Sequence, residues 1–358
     1  MYNDSYEVYG ANWTGDFLAQ FKKRHGYELQ SQWAAFTDTT TALVKIDYHQ
    51  TLAELLLENY AKTWTDWSRR QGFLTRYQAH GSPGNLLDLY EVADIPETES
   101  FGSSRFPIKG LRVDEQYEVE RYGTPNPLAM KFASSAAHLS GKKLVSAETT
   151  TWLANHFKVS LSQIKPQIDE LFTAGINHIF YHGTTYSPQD APYPGWLFYA
   201  STNYGIHSHF WKHYPLLNQY VARCQALLQN HESDNDLLVY FPIHDLWATK
   251  ARAGGGIHAL EVHHVDKWLL KLPFGQLSEW LWKQGFSFDF VSDNQLQKLD
   301  LKKYKTLLVP ATTYMPMATL ARLNELSKSG VKVVFLERLP TQPTGFYQQK
   351  EQQIEFQN

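Results

Sequence analysis

The chain has 358 residues, and its 33 Lys and Arg against 36 Asp and Glu leave a formal net charge of −3. That length exceeds one typical domain, and the near-neutral balance argues against a nucleic-acid surface or a polybasic membrane patch. Aromatic residues reach 15%, which suits either a large α/β core or aromatic walls that stack on sugar rings. A single cysteine, Cys224, excludes an internal disulfide framework. No apolar run reaches the ~18 residues of a membrane-spanning helix. The first residues lack the basic and apolar regions of a signal peptide. They enter strand-like sequence at once, as though the chain started inside a domain.

In chain order, residues 5–9 read as a strand. Phe17, Leu18 and Phe21 fall at helical spacing, with Thr14 to start the helix and Gly26 to end it. A longer helix is predicted over residues 48–70, its apolar face made by Leu52, Leu55, Leu56, Tyr60, Trp64 and Trp67. Residues 73–78 form a short strand running into a loop at His80. Residues 86–95 read as an apolar strand ended by Pro96, which has no N–H for a sheet ladder. A long polar loop over 100–127 follows, suspect as functional because of its length. A small-residue helix at 130–139, a strand at 143–147, a helix at 164–174 with Pro166 near its first turn, a strand at 176–181 and a helix at 214–229 complete this part.

From Asp236 the character changes. Residues 237–242, 286–291, 306–309 and 331–336 read as short buried strands, with helices at 274–285 and 317–330 and a flexible Gly stretch at 253–256. The tail after Pro340 is Gln-rich and shows no structural stop. Three regions are therefore expected: a first unit over 1–232, a smaller α/β unit over 233–340, and a tail over 341–358.

Strand and helix alternate without hairpin signals, which argues for parallel βαβ units. Glu7, within the first strand-like run, and His80, Glu97, Glu99, Glu148 and His182, just after later ones, all fall at predicted strands. A (β/α)8 barrel of the TIM type gathers such positions on one face. An open doubly wound sheet spreads them along a crevice instead.

Glu97 and Glu99 are two apart in extended chain and look into one space, where like charges repel and raise a pKa. They first suggest an acid/base pair. Glu148, beside Trp152, and Glu7, with Trp13 beyond, have the same strand-end placement, although either also suits a solvated loop. His80 and His182 each precede Gly and serve equally as substrate ligands or as hydrogen-bonded loop residues. His207 with His209, and His263 with His264, lack the spacing of a zinc site. No Gly-x-Ser-x-Gly, phosphate loop or Cys-x-x-Cys occurs. Carboxylates, aromatics and neutral His on one barrel face are the equipment of a glycoside hydrolase.

The ordered run Phe21-x2-Arg24-x-Gly26-Tyr27, Gln78-Ala-His-Gly81, Asp94-Ile-Pro-Glu-Thr-Glu99, Ser134-Ser-Ala-Ala-His138, Ser146-Ala-Glu148 and His182 resembles glycoside hydrolase family 106, the α-L-rhamnosidases. The second unit resembles the glutamine-amidotransferase-like, flavodoxin-type domain that follows the barrel in that family and in family-42 β-galactosidases. The resemblance implies an inverting, calcium-dependent exo-hydrolase that removes terminal L-rhamnose from polysaccharides or glycosides. It implies Glu7 as general acid and Glu148 as general base, since residues from different strands can face each other across a bond. Trp13, His80, Glu99 and His182 are then expected against the sugar. Calcium is expected on Glu97 and Glu99, with Asp4 as a further ligand, and which of the two Glu binds metal stays open. Counting back from His182 leaves barrel strands one to three missing, so a fragment with weak activity is expected. Export to the periplasm or outside the cell follows only if an N-terminal part is missing. A β-galactosidase-like enzyme and a non-catalytic carbohydrate-binding protein are the competing readings.

Overall fold

The computed structural model describes residues 1–8, 10–37, 42–249, 257–298, 300–301 and 303–357. The first sheet consists of β1 (Tyr2–Asn3), β2 (Arg76–Gln78), β3 (Ile95–Phe101), β4 (Ser146–Thr151) and β5 (His178–Tyr181). These strands pair in chain order and all in parallel. Each connection after β1 carries helix, as parallel pairing requires. β1 and β5 are the edges of this sheet.

A second sheet is built from β6 (Leu237–Tyr240), β7 (Asp289–Val291) and β8 (Thr306–Val309). After a short β9 (Tyr314–Met315) comes its last strand, β10 (Lys332–Phe335). The order is β10-β8-β6-β7, all parallel, so the chain turns to opposite sides of β6. The tail does not trail off as expected. It supplies β11 (Gln342–Pro343), paired with β9, and a helix Gln349–Gln357. Between these two, the Phe346 N–H donates to Asp47 at 3.0 Å, and its ring lies 5.3 Å from that of Tyr27.

The helix Pro127–Leu139 lies between the two sheets and contacts β3 and β7. Asn126 starts it by accepting the Leu128 N–H, and Pro127 fits the first position, where no N–H is needed. Small residues at 133–137 let backbones approach closely. Ser134 donates to the Ala174 carbonyl at 2.7 Å, and Ser135 accepts the Phe290 N–H of β7 at 2.9 Å. Phe132 stands 5.0 Å from the rings of both Phe241 and Phe290. One apolar core therefore runs from Tyr77, Leu89 and Ala147 through Phe132 to Val239, Phe274 and Phe290.

Several expectations are corrected. Residues 86–92 are a helix (Leu86–Val92), capped by Asn85, and not a strand. Leu86, Leu87, Leu89 and Tyr90 are all buried, and a run this short fits a helix or a strand equally well. Pro96 is the second residue of β3 and not its stop, so Glu97 and Glu99 lie inside the strand. β1 comes earlier than the predicted strand over 5–9, and residues 4–8 are loop, with Tyr9 outside the described residues. The helix predicted from residue 48 runs unbroken from Ala42–Leu55 through a π-helical Leu56–Lys62 to Thr63–Arg70. The helix Leu161–Thr173 begins a turn earlier than predicted, at a Ser160–Gln163 capping box, which puts Pro166 in its second turn. The expected Gly stretch at 253–256 lies outside the described residues. Among the described residues no helix is long and apolar enough to cross a membrane.

Candidate active site

Side chains alternate along a strand, so register decides what meets what. Gln78 pairs with Glu97 and Glu97 with Ser146, while Glu99 pairs with Glu148. Arg76, Gln78, Glu97, Glu99, Ser146, Glu148, His178 and Phe180 therefore share one face of the first sheet. Tyr77, Pro96, Thr98, Ala147 and Ile179 take the other, towards the helices. A polar face on a parallel sheet has no packing purpose, and here it concentrates carboxylates.

Glu97 is fully buried and its charge is met from three sides. Gln78 donates to Oε1 at 3.0 Å, Ser146 donates to Oε2 at 2.5 Å, and the Arg76 Nε stands 3.0 Å from Oε2. The last is a charge contact without hydrogen-bond alignment, because that Nε has no bonded partner among the described residues. Arg76 is in turn stacked between aromatic rings, 3.6 Å from Phe180 and 4.3 Å from Tyr2. Burial pushes the Glu97 carboxyl up, and Arg76 opposes that.

Glu99 is raised as well, chiefly by burial, with the nearby Glu148 adding to it and His80 opposing it. His80 lies 3.3 Å from Glu99 through Nε2 and 3.1 Å from the Tyr90 hydroxyl through Nδ1. Glu148 is fixed at both oxygens: Thr151 donates to Oε1 at 2.7 Å and Gln78 to Oε2 at 3.0 Å. An irregularity between β3 and β4 at Thr150, whose φ is 63°, returns Thr151 to the side of Glu148. His182 Nε2 stands 3.9 Å from Glu148 Oε1, and its Nδ1 has no partner among the described residues. Gln78 also donates to the Tyr2 hydroxyl at 2.8 Å. Its two N–H groups thus serve three acceptors and tie Tyr2, Glu97 and Glu148 together.

The loop after β1 lies over this end of the sheet. The Tyr6 N–H donates to the His80 carbonyl at 2.9 Å. Gly81 makes the approach possible, with φ at +82° and a Cβ position that falls 2.5 Å from the Tyr6 carbonyl oxygen. Asp4 accepts the Tyr2 hydroxyl and the Ser5 N–H, both at 2.9 Å, and its charge reaches Glu99. Glu7 is exposed on the same loop, 3.4 Å from the Ser5 hydroxyl. Trp13 is half-exposed and rests on Phe17, the first residue of the helix Phe17–His25, with ring centres 4.5 Å apart.

Asp4, His80, Glu97, Glu99, Glu148 and His182 are thus brought to one region, with Glu7 on the loop above. The expected calcium cage does not fit. Both Glu97 oxygens are committed to protein donors and Asp4 Oδ1 is doubly engaged, whereas calcium asks for six to eight oxygens. Among the described residues no three His, Cys, Asp or Glu side chains are grouped to hold a metal ion.

The roles of several contributors escape the sequence reading, which holds Gln78 only inside a motif and Trp152 only as a neighbour of Glu148. Arg76, Gln78 and Tyr2 act through register across strands far apart in sequence. An aromatic rim also flanks Thr151: Trp152 lies 4.4 Å from Tyr122, 5.5 Å from Tyr199 and 6.1 Å from Phe101, and Phe198 lies 5.3 Å from His182. The second part of the chain reaches the rim too. His263 stands 5.1 Å from Phe101, and its carbonyl accepts Thr124 N–H beside Gly123, whose Cβ position would clash with it at 1.9 Å. Burial drives His263 down to about 3, helped by His264 and His80. The His-His pair was its only signal.

A family model described as alpha-L-rhamnosidase, glycoside hydrolase family 106, matches residues 1–356. A putative beta-glucuronidase of Formosa agariphila is 24% identical over 92% of this chain and 26% of its own length. Among solved structures, the rhamnosidase of Novosphingobium sp. PP1Y superposes with a TM-score of 0.67 at 21% identity, covering 96% of this chain and 31% of that one. An exo-carrageenase from Bacteroides ovatus gives 0.58 at 12% identity over 95% and 50%. A beta-galactosidase from Marinomonas ef1 gives 0.56 at 12% identity over 92% and 53%. The chain therefore spans about a quarter to a half of the length of these relatives.

Proposed function

Because this chain belongs to the α-L-rhamnosidase family, glycoside hydrolase family 106, we propose that it carries the catalytic carboxylates of an inverting, exo-acting α-L-rhamnosidase acting on rhamnose-bearing glycosides or polysaccharides. The observation that supports this most is the register pair Glu99–Glu148 on the polar face of the first sheet, with Glu148 fixed at both oxygens. On this reading the five parallel strands are one side of a (β/α)8 barrel.

In the proposed reaction Glu148, ionised, takes a proton from water as the water oxygen attacks the anomeric carbon. The glycosidic bond breaks with its electron pair going to the leaving oxygen, and Glu7 supplies that oxygen with a proton. The loop position of Glu7, tied down at Tyr6, supports its reach to a leaving group entering from solvent. His80, Glu99 and His182 hold sugar hydroxyls. The unpartnered His182 Nδ1 and Gln78 Oε1 are atoms for such bonds. Trp152 and Tyr199 offer flat surfaces for the ring, and Trp13 lines the approach to Glu7. No step runs through a metal.

A second reading has one observation in its favour. Burial raises the Glu99 carboxyl, the direction that suits a proton donor, and on this reading Glu99, and not Glu7, donates the proton. Glu7→Gln and Glu99→Gln separate the two on paired substrates. Losing the acid spares a p-nitrophenyl glycoside, whose leaving group needs little protonation, and abolishes hydrolysis of an alkyl glycoside. The product anomer, read by NMR, tests inversion. A retained configuration would overturn the inverting assignment and favour a β-galactosidase-like reaction. Binding without turnover of any rhamnoside would leave a carbohydrate-binding protein.

A further inference from the structure

A cavity of about 670 Å³ opens at the amino ends of the strands, the end opposite His182 and Trp152. Val145 and Asn177, the residues just before β4 and β5, form one side of it. Phe286 and Phe288, on the approach to β7, form the other. The helix Pro127–Leu139 contributes Lys131, His138 and Leu139 between them. This volume falls within the ~300–1,000 Å³ of small-molecule sites.

Lys131 is 5% exposed, and its ammonium stands 4.8 Å from the centre of the Phe288 ring, another lining residue. No hydrogen-bond acceptor among the described residues meets that ammonium, and it is not among the sealed core atoms: the surface it keeps opens on the cavity. The carboxylate whose charge reaches it is Asp289. Both oxygens of Asp289 are engaged elsewhere, Oδ1 with His138 at 2.8 Å and Oδ2 with the Tyr304 hydroxyl at 2.9 Å. Burial pulls the Lys131 ammonium below the usual lysine range, and Asp289 opposes that only in part. A lysine ammonium has three donors and no acceptor. What is missing around Lys131 is therefore negatively charged oxygen, and a buried charge is retained only where such a partner is supplied.

The remaining lining has the same sign. Lys142, Lys143 and Lys303 join Lys131 against the carboxylates of Glu232 and Asp300. Lys142 is tied to the Glu91 carbonyl and the Ser140 hydroxyl, which leaves Lys131 as the deep donor. Phe172, Trp282 and Phe286, none of them buried, add an aromatic wall that a bare inorganic ion would not use. We propose that this cavity binds a small organic oxyanion, a carboxylate or phosphate ester on a ring-shaped body. The charged group meets Lys131 and the ring lies along the aromatic wall. The proposal does not depend on the reaction assigned to Glu7 and Glu148.

The test is titration calorimetry on the whole chain. Benzoate and D-galacturonate are the carboxylates, phenyl phosphate is the ester, benzyl alcohol and D-galactose are the neutral counterparts, and inorganic phosphate is the bare charge. At least one organic oxyanion is expected to bind about tenfold or more tightly than its neutral counterpart. Lys131→Met keeps most of the side-chain volume, removes the ammonium and is expected to cancel that preference. Lys303→Glu, at an exposed position on the lining, leaves the core untouched. It should weaken the oxyanion several-fold at low salt and less at high salt, and it decides the matter should Lys131→Met not fold. No binding of an organic oxyanion, equal affinity for charged and neutral counterparts, or binding of inorganic phosphate alone would overturn the proposal. So would an affinity unchanged in folded Lys131→Met or, where that variant does not fold, in Lys303→Glu.

Discussion

Glu99 and Glu148 are direct partners across β3 and β4, and their side chains leave the same face of the sheet. Strands stand ~4.8 Å apart, so the two carboxyls feel each other. Burial together with the Glu148 charge raises Glu99. Glu148→Gln is expected to lower kcat by about 10²–10⁴-fold with little change in KM, because only the proton acceptor is lost. Glu99→Gln should mainly raise KM, since its oxygen anchors His80 and, by the proposal, a hydroxyl. Steady-state kinetics on both variants checks this, and a kcat loss at Glu99 as large as at Glu148 would move Glu99 into the proton-transfer role.

Arg76 is the counter-charge of a buried carboxylate. Arg76→Met leaves Glu97 buried with Ser146 and Gln78 but no cation, which should cost about 3–5 kcal/mol. Arg76→Met/Glu97→Gln is expected to recover a large part of that. Urea denaturation of the single and double variants gives both numbers, and strictly additive effects would show that the pair is not coupled.

Gly81 has a positive φ and its Cβ position falls on the Tyr6 carbonyl. Gly81→Ala should therefore push the loop carrying Asp4 and Glu7 off the sheet, costing about 1–3 kcal/mol of stability and lowering kcat/KM more than the stability loss explains. Assay at a temperature where the variant is fully folded separates the two.

Asp289 on β7 is buried, which raises its carboxyl, but the His138 charge and hydrogen bond and the Lys131 charge outweigh burial and bring it down to about 2. A carboxylate depressed in the folded state stabilises fully above its ordinary pKa and loses that contribution as pH falls from about 4 to about 2. One pKa unit corresponds to ~1.4 kcal/mol, so the loss is of order 2 kcal/mol. Asp289→Asn should be destabilised at pH 7 and show a flatter acid limb in denaturation against pH.

Trp152 carries three aromatic contacts at the rim. Trp152→Ala is expected to raise KM several-fold and leave kcat within about threefold, because stacking helps bound substrate and transition state alike. A collapse of kcat instead would mean that the ring fixes the Thr150–Thr151 irregularity.

The sequence placed Glu148 just past its strand, whereas it lies inside β4. Its strand was expected to stop at residue 147, whereas the β-branched run Thr149–Thr151 continues β4. Glu97 and Glu99 were rightly placed on one side of an extended chain. Their different fates were hidden, because Arg76, which neutralises one, comes from the neighbouring strand β2, and His80, which touches the other, from the turn just after it. The helix Leu86–Val92 was missed because two turns of mostly apolar residues show no period; its one signal was Asn85, a good cap. Parallel order and the strands β5, β8 and β10 were legible as largely apolar runs between helices. The rim was not, since Tyr122 ends a single helical turn (Val119–Tyr122) and Trp152, Tyr199 and His263 lie on segments without periodicity.

The helix Pro127–Leu139 makes the two sheets depend on each other. Because Phe132 wedges against Phe241, just past β6, and Phe290 of β7 while the helix also contacts β3, a joint between the two sheets would strand an apolar rod with half its walls gone. Cutting the chain between the two sheets is therefore expected to expose the apolar faces of this helix and leave neither half folded.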